Sequence, residues 1–302
     1  MPNSKPSSPR DAKVGEPVDR DAAAAELLAR RRARATILAY ADAIEVPGRP
    51  VGDDADADDC EQFEALSAPL AAHHRLILQR VEATNRTPHG RLMIFTPPGA
   101  GKSTFASVVF PSWYLGAAPD RRLILASYGD ALASRMGRRT RSIVRQPRWQ
   151  RLWNTELTAD SHAAHAFALT NGSEYLASGM LAGVTGARCH GLIIDDPVRG
   201  REQADSEVVR DKVFDAYEDD LKTRLMPGGW IVIISTRWHE DDLAGRILPE
   251  GWHGESGRLA CRDGNTWEVL CLQARCETDT DPLGRAPGEY LWPEWFGNPP
   301  VQ

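Results

Sequence analysis

The stretch Thr96-Pro97-Pro98-Gly99-Ala100-Gly101-Lys102-Ser103-Thr104 follows directly on the apolar run Leu92-Met93-Ile94-Phe95, and nothing else in the chain constrains the fold as much. A short buried strand that enters a glycine-rich turn ending Gly-Lys-Ser, then a helix-compatible stretch from Phe105 to Leu115, is the way a chain builds a cradle for phosphate. N–H groups of the turn and of the helix N-terminus converge on anionic oxygens, and the helix dipole adds partial positive charge. In this pattern Pro98, Gly99, Ala100, Gly101, Lys102, Ser103 and Thr104 surround the phosphates. Lys102 reaches the β- and γ-phosphates, and the Ser103 hydroxyl ligates Mg²⁺. Thr96 stands where the full pattern has a further glycine, five residues before Gly101.

The size and composition suit such a site. With 302 residues and 42% apolar content, the chain has material for one large domain or two small ones. A formal net charge of −6 excludes a uniformly basic nucleic-acid binder but leaves room for a local basic groove. The five cysteines (Cys60, Cys189, Cys261, Cys271 and Cys276) are odd in number and lack framework spacing, which reads as reduced thiols. Cys261, Cys271 and Cys276 near His253 lack the paired knuckles of structural zinc. The N-terminus has no apolar signal region, and no apolar run is long enough to span a membrane.

Residues 1–20 are polar and rich in proline and serine, which reads as a disordered tail. Residues 21–44 read as one helix carrying the Arg30-Arg31-Arg32-Ala33-Arg34 patch, and 47–59 as an acidic linker loop. The division expected is therefore a tail over 1–20, helix and linker over 21–60, and one domain over 61–302. Within that domain helices and strands alternate. A helix is expected over 74–81, a strand over 91–95, a helix over 102–115, a strand over 122–128 and a helix over 130–145. A hairpin follows, with strands at 166–170 and 174–178 about Asn171-Gly172. Next come a strand at 191–195, a helix at 207–223, a strand at 230–235, a helix at 240–248 and a strand at 267–272. Such alternation means an α/β fold with a mostly parallel sheet sandwiched by helices, and ligands at the carboxyl ends of its strands.

Two further strands end in polar groups. Leu192-Ile193-Ile194 runs into Asp195-Asp196-Pro197. Opposite a phosphate loop, Asp195 suits the Mg²⁺ shell and Asp196 suits orienting the attacking water, with Glu240 as an assisting acid because Asp196 is short. Trp230 to Ser235 runs into Thr236-Arg237, where Thr236 can sense the γ-phosphate and Arg237 can relay its loss. His239-Glu240 is not the start of a zinc-protease helix, because Leu243 occupies the second histidine position.

These pieces together resemble the large terminase subunit of tailed bacteriophages, the ATPase of the DNA-packaging motor. The resemblance runs over roughly residues 65–296. It includes His73-His74, Ser127-Tyr128 with Ala131-Leu132-Ala133, Arg138 and Arg141, and Gly179 with Gly183-Val184-Thr185-Gly186 ahead of the two acids. It continues through Leu272 to Ala274, Asp281 to Arg285, and Gly288 to Pro293. The stretch from Ser235 to Arg246 resembles the family's ATPase-coupling motif most specifically. The resemblance implies a P-loop NTPase fold of ASCE-like type, ATP and Mg²⁺ as cofactors, catalytic roles for Lys102, Asp196, Thr236 and Arg237, and Ser103 and Asp195 as metal ligands. It further implies duplex DNA, a portal protein and a small terminase subunit as partners, a homo-oligomeric ring, no membrane, and residence in the cytoplasm of a bacterial host. Many relatives carry an arginine near the position of Gly99. Its replacement here makes Arg138 and Arg141 candidates for a finger offered to a neighbouring subunit. The family usually continues into a nuclease domain near where this chain ends, at Gln302, so the ATPase is expected without the endonuclease.

Between Ser134 and Arg151 there are seven arginines and no acid. A motor that grips any sequence needs such charge, but the same side chains equally suit a neighbouring subunit or pairing with acids elsewhere in the chain. A helicase-like translocase and an inactive prophage remnant are the other readings of the same residues.

Overall fold

The computed structural model describes residues 20–51, 62–161, 163–184 and 186–296. The tail before residue 20, the acidic run with Cys60, Thr185 and the last six residues lie outside the described residues. The single helix expected over 21–44 is two, α1 (Arg20–Ala35) and α2 (Ile37–Ala43). The break is a helix cap: Thr36 takes extended angles, and its hydroxyl accepts the Ala39 N–H at 3.3 Å. Ala33, Ile37, Tyr40 and Ala41 are buried in the main core, so this region packs onto the sheet's helical layer. The start of the expected linker is also ordered, as β1 (Pro47–Pro50) pairs antiparallel with β2 (Phe63–Ala65).

Beyond α3 (Ala72–Arg86) and β3 (Arg91–Phe95), the phosphate-loop segment enters α4 (Lys102–Thr104). The helix continues through a π-helical turn, Phe105–Val109, into α5 (Phe110–Ala117). Pro111 has no N–H to give the carbonyl four residues back, which favours the wider turn at this point. Then follow β4 (Arg122–Ser127), α6 (Asp130–Val144), α7 (Pro147–Trp153), β5 (Ala166–Ala168), β6 (Glu174–Gly179) and β7 (Cys189–Asp195). The chain goes on through α8 (Arg201–Asp205), α9 (Glu207–Asp215), β8 (Leu225–Ser235), α10 (Leu243–Ile247), β9 (Gly257–Ala260), β10 (Thr266–Cys271) and α11 (Pro293–Phe296).

Eight strands form one sheet in the order β5-β6-β4-β7-β8-β3-β10-β9. The six inner strands are parallel, and β5 and β9 close the two edges antiparallel. Strand residues alternate between two apolar layers. Leu92, Ile94, Leu123, Leu125, Val232 and Ile234 face one, and Met93, Ile124, Leu192, Ile194, Ile231 and Ile233 face the other. Burial on both faces is what a parallel sheet between helical layers requires. β8 lies between the phosphate-loop strand and the acid-tipped strand, and Phe95 pairs with Ser235 while Asp195 pairs with Ile234. The polar tips of three strands therefore end level with one another.

Several boundaries depart from the pattern; the helix expected over 74–81, for one, runs Ala72–Arg86. β8 starts at Leu225, five residues early, because Leu225 already pairs with Cys189 of β7 ahead of a bulge, where Gly228 takes a left-handed φ of 82° before pairing resumes at Trp230. The helix expected over 240–248 spans only Leu243–Ile247, because Asp242 caps it with its carboxylate on the Gly245 N–H at 2.8 Å. The helix expected over 207–223 leaves α geometry after Asp215 and becomes π-helical over Ala216–Leu221.

Candidate nucleotide site at the carboxyl ends of three strands

Gly99 and Gly101 both take left-handed angles, with φ of 78° and 76°. Such angles are open to glycine and costly for most other residues. They fold the loop so that Ala100 is buried and Lys102 follows at the helix start, itself only 7% exposed. The Lys102 ammonium crosses to the neighbouring strand tips. Its Nζ donates to Thr236 Oγ1 at 2.8 Å and pairs with Asp196 Oδ2 at 3.3 Å. Ser103 Oγ donates to Asp195 Oδ1 at 3.0 Å. Thr96, in the position where glycine was expected, is buried at the strand end with its hydroxyl 3.4 Å from the Pro97 carbonyl.

The two acids differ in surroundings. Asp195 is fully buried, and its Oδ2 has no hydrogen-bond partner; the nearby Ser107 hydroxyl likewise has none. Burial and the adjacent Asp196 push the Asp195 carboxyl up to about 6, against the pull of Ser107, Lys102 and Ser103. An orphaned carboxylate oxygen beside a serine hydroxyl is a hard oxygen donor set, and it fits a Mg²⁺ ion. Asp196 is left-handed at φ 46°. Its N–H donates to the Ile234 carbonyl at 2.8 Å, its carbonyl accepts the Tyr128 N–H at 3.1 Å, and its Oδ1 accepts the Thr236 N–H at 3.0 Å. One residue thus ties together the ends of β4, β7 and β8.

Of the residues singled out in the sequence, Lys102, Ser103, Asp195, Asp196 and Thr236 converge. Arg237 does not join them. Its Nε donates to Asp242 Oδ2 at 2.6 Å, and its Nη2 donates to the Glu240 and His239 carbonyls at 3.0 and 3.3 Å. The guanidinium lies over the Phe95 and Trp252 rings at 5.4 and 5.5 Å. That geometry suits a relay between the loop strand and the 239–242 turn, not contact with phosphate. Glu240 is exposed and contributes only its carbonyl, so the assisting role considered for its carboxylate has no contact behind it. The next acid, Asp241, accepts from Arg210 Nε at 3.0 Å and from Arg246 Nη2 at 2.8 Å, and Arg246 also pairs with Asp211. The stretch after Thr236 is thereby fastened to α9.

The arginine run is partly internal. Arg141 is 3% exposed, on the inward stripe of α6 with Ala133, Met136, Gly137 and Val144, so in this conformation it presents nothing to a neighbouring subunit. Arg139 Nη2 donates to the Pro47 carbonyl at 2.6 Å and to Thr104 Oγ1 at 3.2 Å, which ties α6 and β1 to the first turn after the loop. Burial holds Arg139 below its ordinary value, at about 10. Sequence reading missed this arginine as part of the site, as it missed Ser107; only the four-residue spacing from Ser103 to Ser107 placed the latter on the same helix face. It also gave no role to His73 and His74, whose Nε2 atoms each lie 3.1 Å from the Ala100 carbonyl.

A parallel sheet with one additional strand between a phosphate-loop strand and an acid-tipped strand is the arrangement of ASCE-like P-loop NTPases. Within that class, the family profile "Terminase large subunit, T4likevirus-type, N-terminal" matches residues 93–301, and the chain belongs to that family. No curated protein matches. Among solved structures, the HK97 bacteriophage large terminase is similar at 15% identity and a TM-score of 0.42, over 62% of this chain and 41% of that one. The ATPase domain of the Thermus phage P74-26 large terminase, solved as a mutant, is 19% identical with a TM-score of 0.41, over 71% of this chain and 83% of that one. The large terminase of a thermophilic bacteriophage, solved with ATP-γ-S, is 11% identical with a TM-score of 0.33, over 55% and 38%. The chain thus spans about two fifths of the length of the first solved large terminases it resembles. Among the described residues no helix is long and apolar enough to cross a membrane.

Proposed function

We propose that this chain is the ATP-hydrolysing motor domain of a phage packaging terminase, with residues 61–302 forming the ATPase and the N-terminal helices packed onto it. The observation that carries this reading is the bridge from Lys102 to both Thr236 and Asp196, beside the Ser103–Asp195 contact. It joins a phosphate loop, a metal-binding acid, a water-orienting acid and a sensor in one cluster. The loop N–H groups and Lys102 hold the triphosphate, and Asp196 orients the attacking water. Ser103 and Asp195 are the residues that would hold Mg²⁺, which when bound neutralises charge on the phosphate oxygens. Loss of the γ-phosphate frees Lys102 and Thr236 to re-form the contact seen here. Arg237 then carries the change through Asp242, and the adjacent Asp241 carries it to Arg210 and α9. The cargo is viral duplex DNA moved into a procapsid in the host cytoplasm, with a portal protein and a small subunit as partners and a ring of copies as the working form.

Mg²⁺-dependent ATP hydrolysis measured against protein concentration, with Lys102→Ala alongside, tests the reading. A rate per chain that climbs with concentration and disappears in the mutant supports a site completed by a neighbouring copy. Hydrolysis that survives Lys102→Ala would overturn it.

A further inference from the structure

The phosphate loop is held from behind by two histidines. His73 and His74 begin α3, and their ring centroids are 4.0 Å apart. Both Nε2 atoms approach one oxygen, the Ala100 carbonyl, at 3.1 Å. A carbonyl oxygen has two lone pairs and only accepts, so each ring must present an Nε2–H. The His74 tautomer is fixed independently, because its Nδ1 accepts the Ala71 N–H at 3.2 Å. The approach is close: a Cβ on Gly101 would stand 2.8 Å from His74 Nε2.

The peptide joining Ala100 to Gly101 is trans, so its carbonyl and its N–H point in opposite directions. Anchoring the carbonyl on the histidines therefore aims the Gly101 N–H away from them, toward the face where the loop meets its ligand. The pair is in turn closed by the C-terminal segment. The Trp292 ring meets His73 edge-on at 5.2 Å and His74 at 4.6 Å, and it stacks on Trp295 at 4.9 Å. Phe105, from the helix after the loop, covers the other side of His74 at 4.1 Å. The charged groups nearest the pair are Glu294 and Arg285, the latter paired with Asp281 at 2.7 Å.

We infer that His73 and His74 are positioning residues that set the orientation of the Ala100–Gly101 peptide, and that Trp292 makes this orientation depend on how the 290–295 segment is seated. The consequence for nucleotide affinity rests on the function proposed above; the clamp on the peptide does not. His74 must stay neutral to serve, because its Nδ1 accepts the Ala71 N–H, and burial favours that state, holding His73 below its ordinary value and His74 at about 3.

The test has two independent parts. In ligand-free protein, histidine ¹⁵N NMR should find His74 as an uncharged Nε2–H tautomer at pH 5, and His73 with its proton on Nε2 at pH 7. His74→Phe keeps the ring and removes the donor; it should move the Gly101 amide resonance, and Trp292→Ala should move the same resonance with both histidines present. By titration with ATP-γ-S, His74→Phe should weaken binding roughly tenfold, the cost of losing one of the two buried hydrogen bonds that orient the peptide, with His73 keeping the other. His74→Gln, whose Nε2 is again a donor, should recover most of that loss. The inference is overturned if His74 titrates near the ordinary histidine value, or if the Gly101 amide is unmoved in both His74→Phe and Trp292→Ala. Lys102→Ala separates the two claims. If it binds ATP-γ-S as tightly as the parent, the nucleotide reading falls, and the histidine and Gly101 signals still decide the clamp. A His74→Phe chain that does not fold leaves the decision to the parent's tautomers and to Trp292→Ala.

Discussion

Asp195 and Asp196 are neighbours in the chain with different tasks for their backbones and carboxylates. Asp195 has the ordinary extended backbone of a strand and a buried, half-satisfied carboxyl raised to about 6. Between the ordinary aspartate value and that figure, the folded protein holds a proton the unfolded chain has lost. The stabilisation this gives is present at low pH and disappears as pH rises through about 6. Asp195→Asn is therefore expected to stabilise the nucleotide-free protein at pH 8 by roughly 1–3 kcal/mol. Urea denaturation should find the gain shrinking toward pH 4, while Mg²⁺ binding is lost. Asp196 poses a backbone question. At φ 46° an aspartate is tolerated, whereas a longer side chain costs about 1 kcal/mol more. This backbone favours a short acid at this position. Asp196→Glu should bind ATP but lose both hydrolysis and melting temperature, and Asp196→Asn should lose only hydrolysis.

At the scale of elements, the 239–245 turn links the nucleotide side to α9. A Cβ on Gly245 would run into the Glu240 carbonyl, which already accepts from Arg237. Gly245→Ala should therefore displace the turn and break the Arg237–Asp242 pair, which is 2.6 Å long. Unchanged ATP-γ-S affinity alongside a severalfold fall in turnover is the expected result; unchanged turnover would rule out a coupling role for the turn. The residue pattern predicts a helix from residue 240, so the turn itself was not legible, and neither was its partner. Arg210 lies 31 residues away from Asp241, and no local pattern pairs them. The strands were legible for a plain reason, since runs such as Ile231 to Ile234 are apolar on both faces and stop at a polar residue. The π-helical turn at Phe105–Val109 was hidden, because Phe105-Ala106-Ser107-Val108-Val109 has no residue that α geometry excludes. Its cause, Pro111, sits downstream. The Thr36 break was hidden by the Ala- and Arg-rich residues around it, which favour helix on both sides.

Across the whole molecule, the described titrating groups pull stability in opposite directions. His73 and His74 are held neutral, so the unfolded chain takes up protons below its own histidine value that the folded chain refuses. Their contribution is complete at pH 7 and declines as pH falls below about 6.5, by roughly 1.4 kcal/mol per pH unit for each fully refused proton. Denaturation of the parent and of His74→Gln at pH 7 and pH 5 should accordingly give a smaller acid loss in the variant. The sheet that carries these groups has one further bearing. Its six parallel strands stop on either side at a short antiparallel strand, three residues in β5 and four in β9. Edges so brief offer few free N–H and C=O groups for a second copy to pair with. In the ring proposed above, growth by strand addition at these edges would be disfavoured. Joints between its subunits would then form where helices and loops meet, and such joints can slip and re-form as a continuous ladder of backbone bonds cannot.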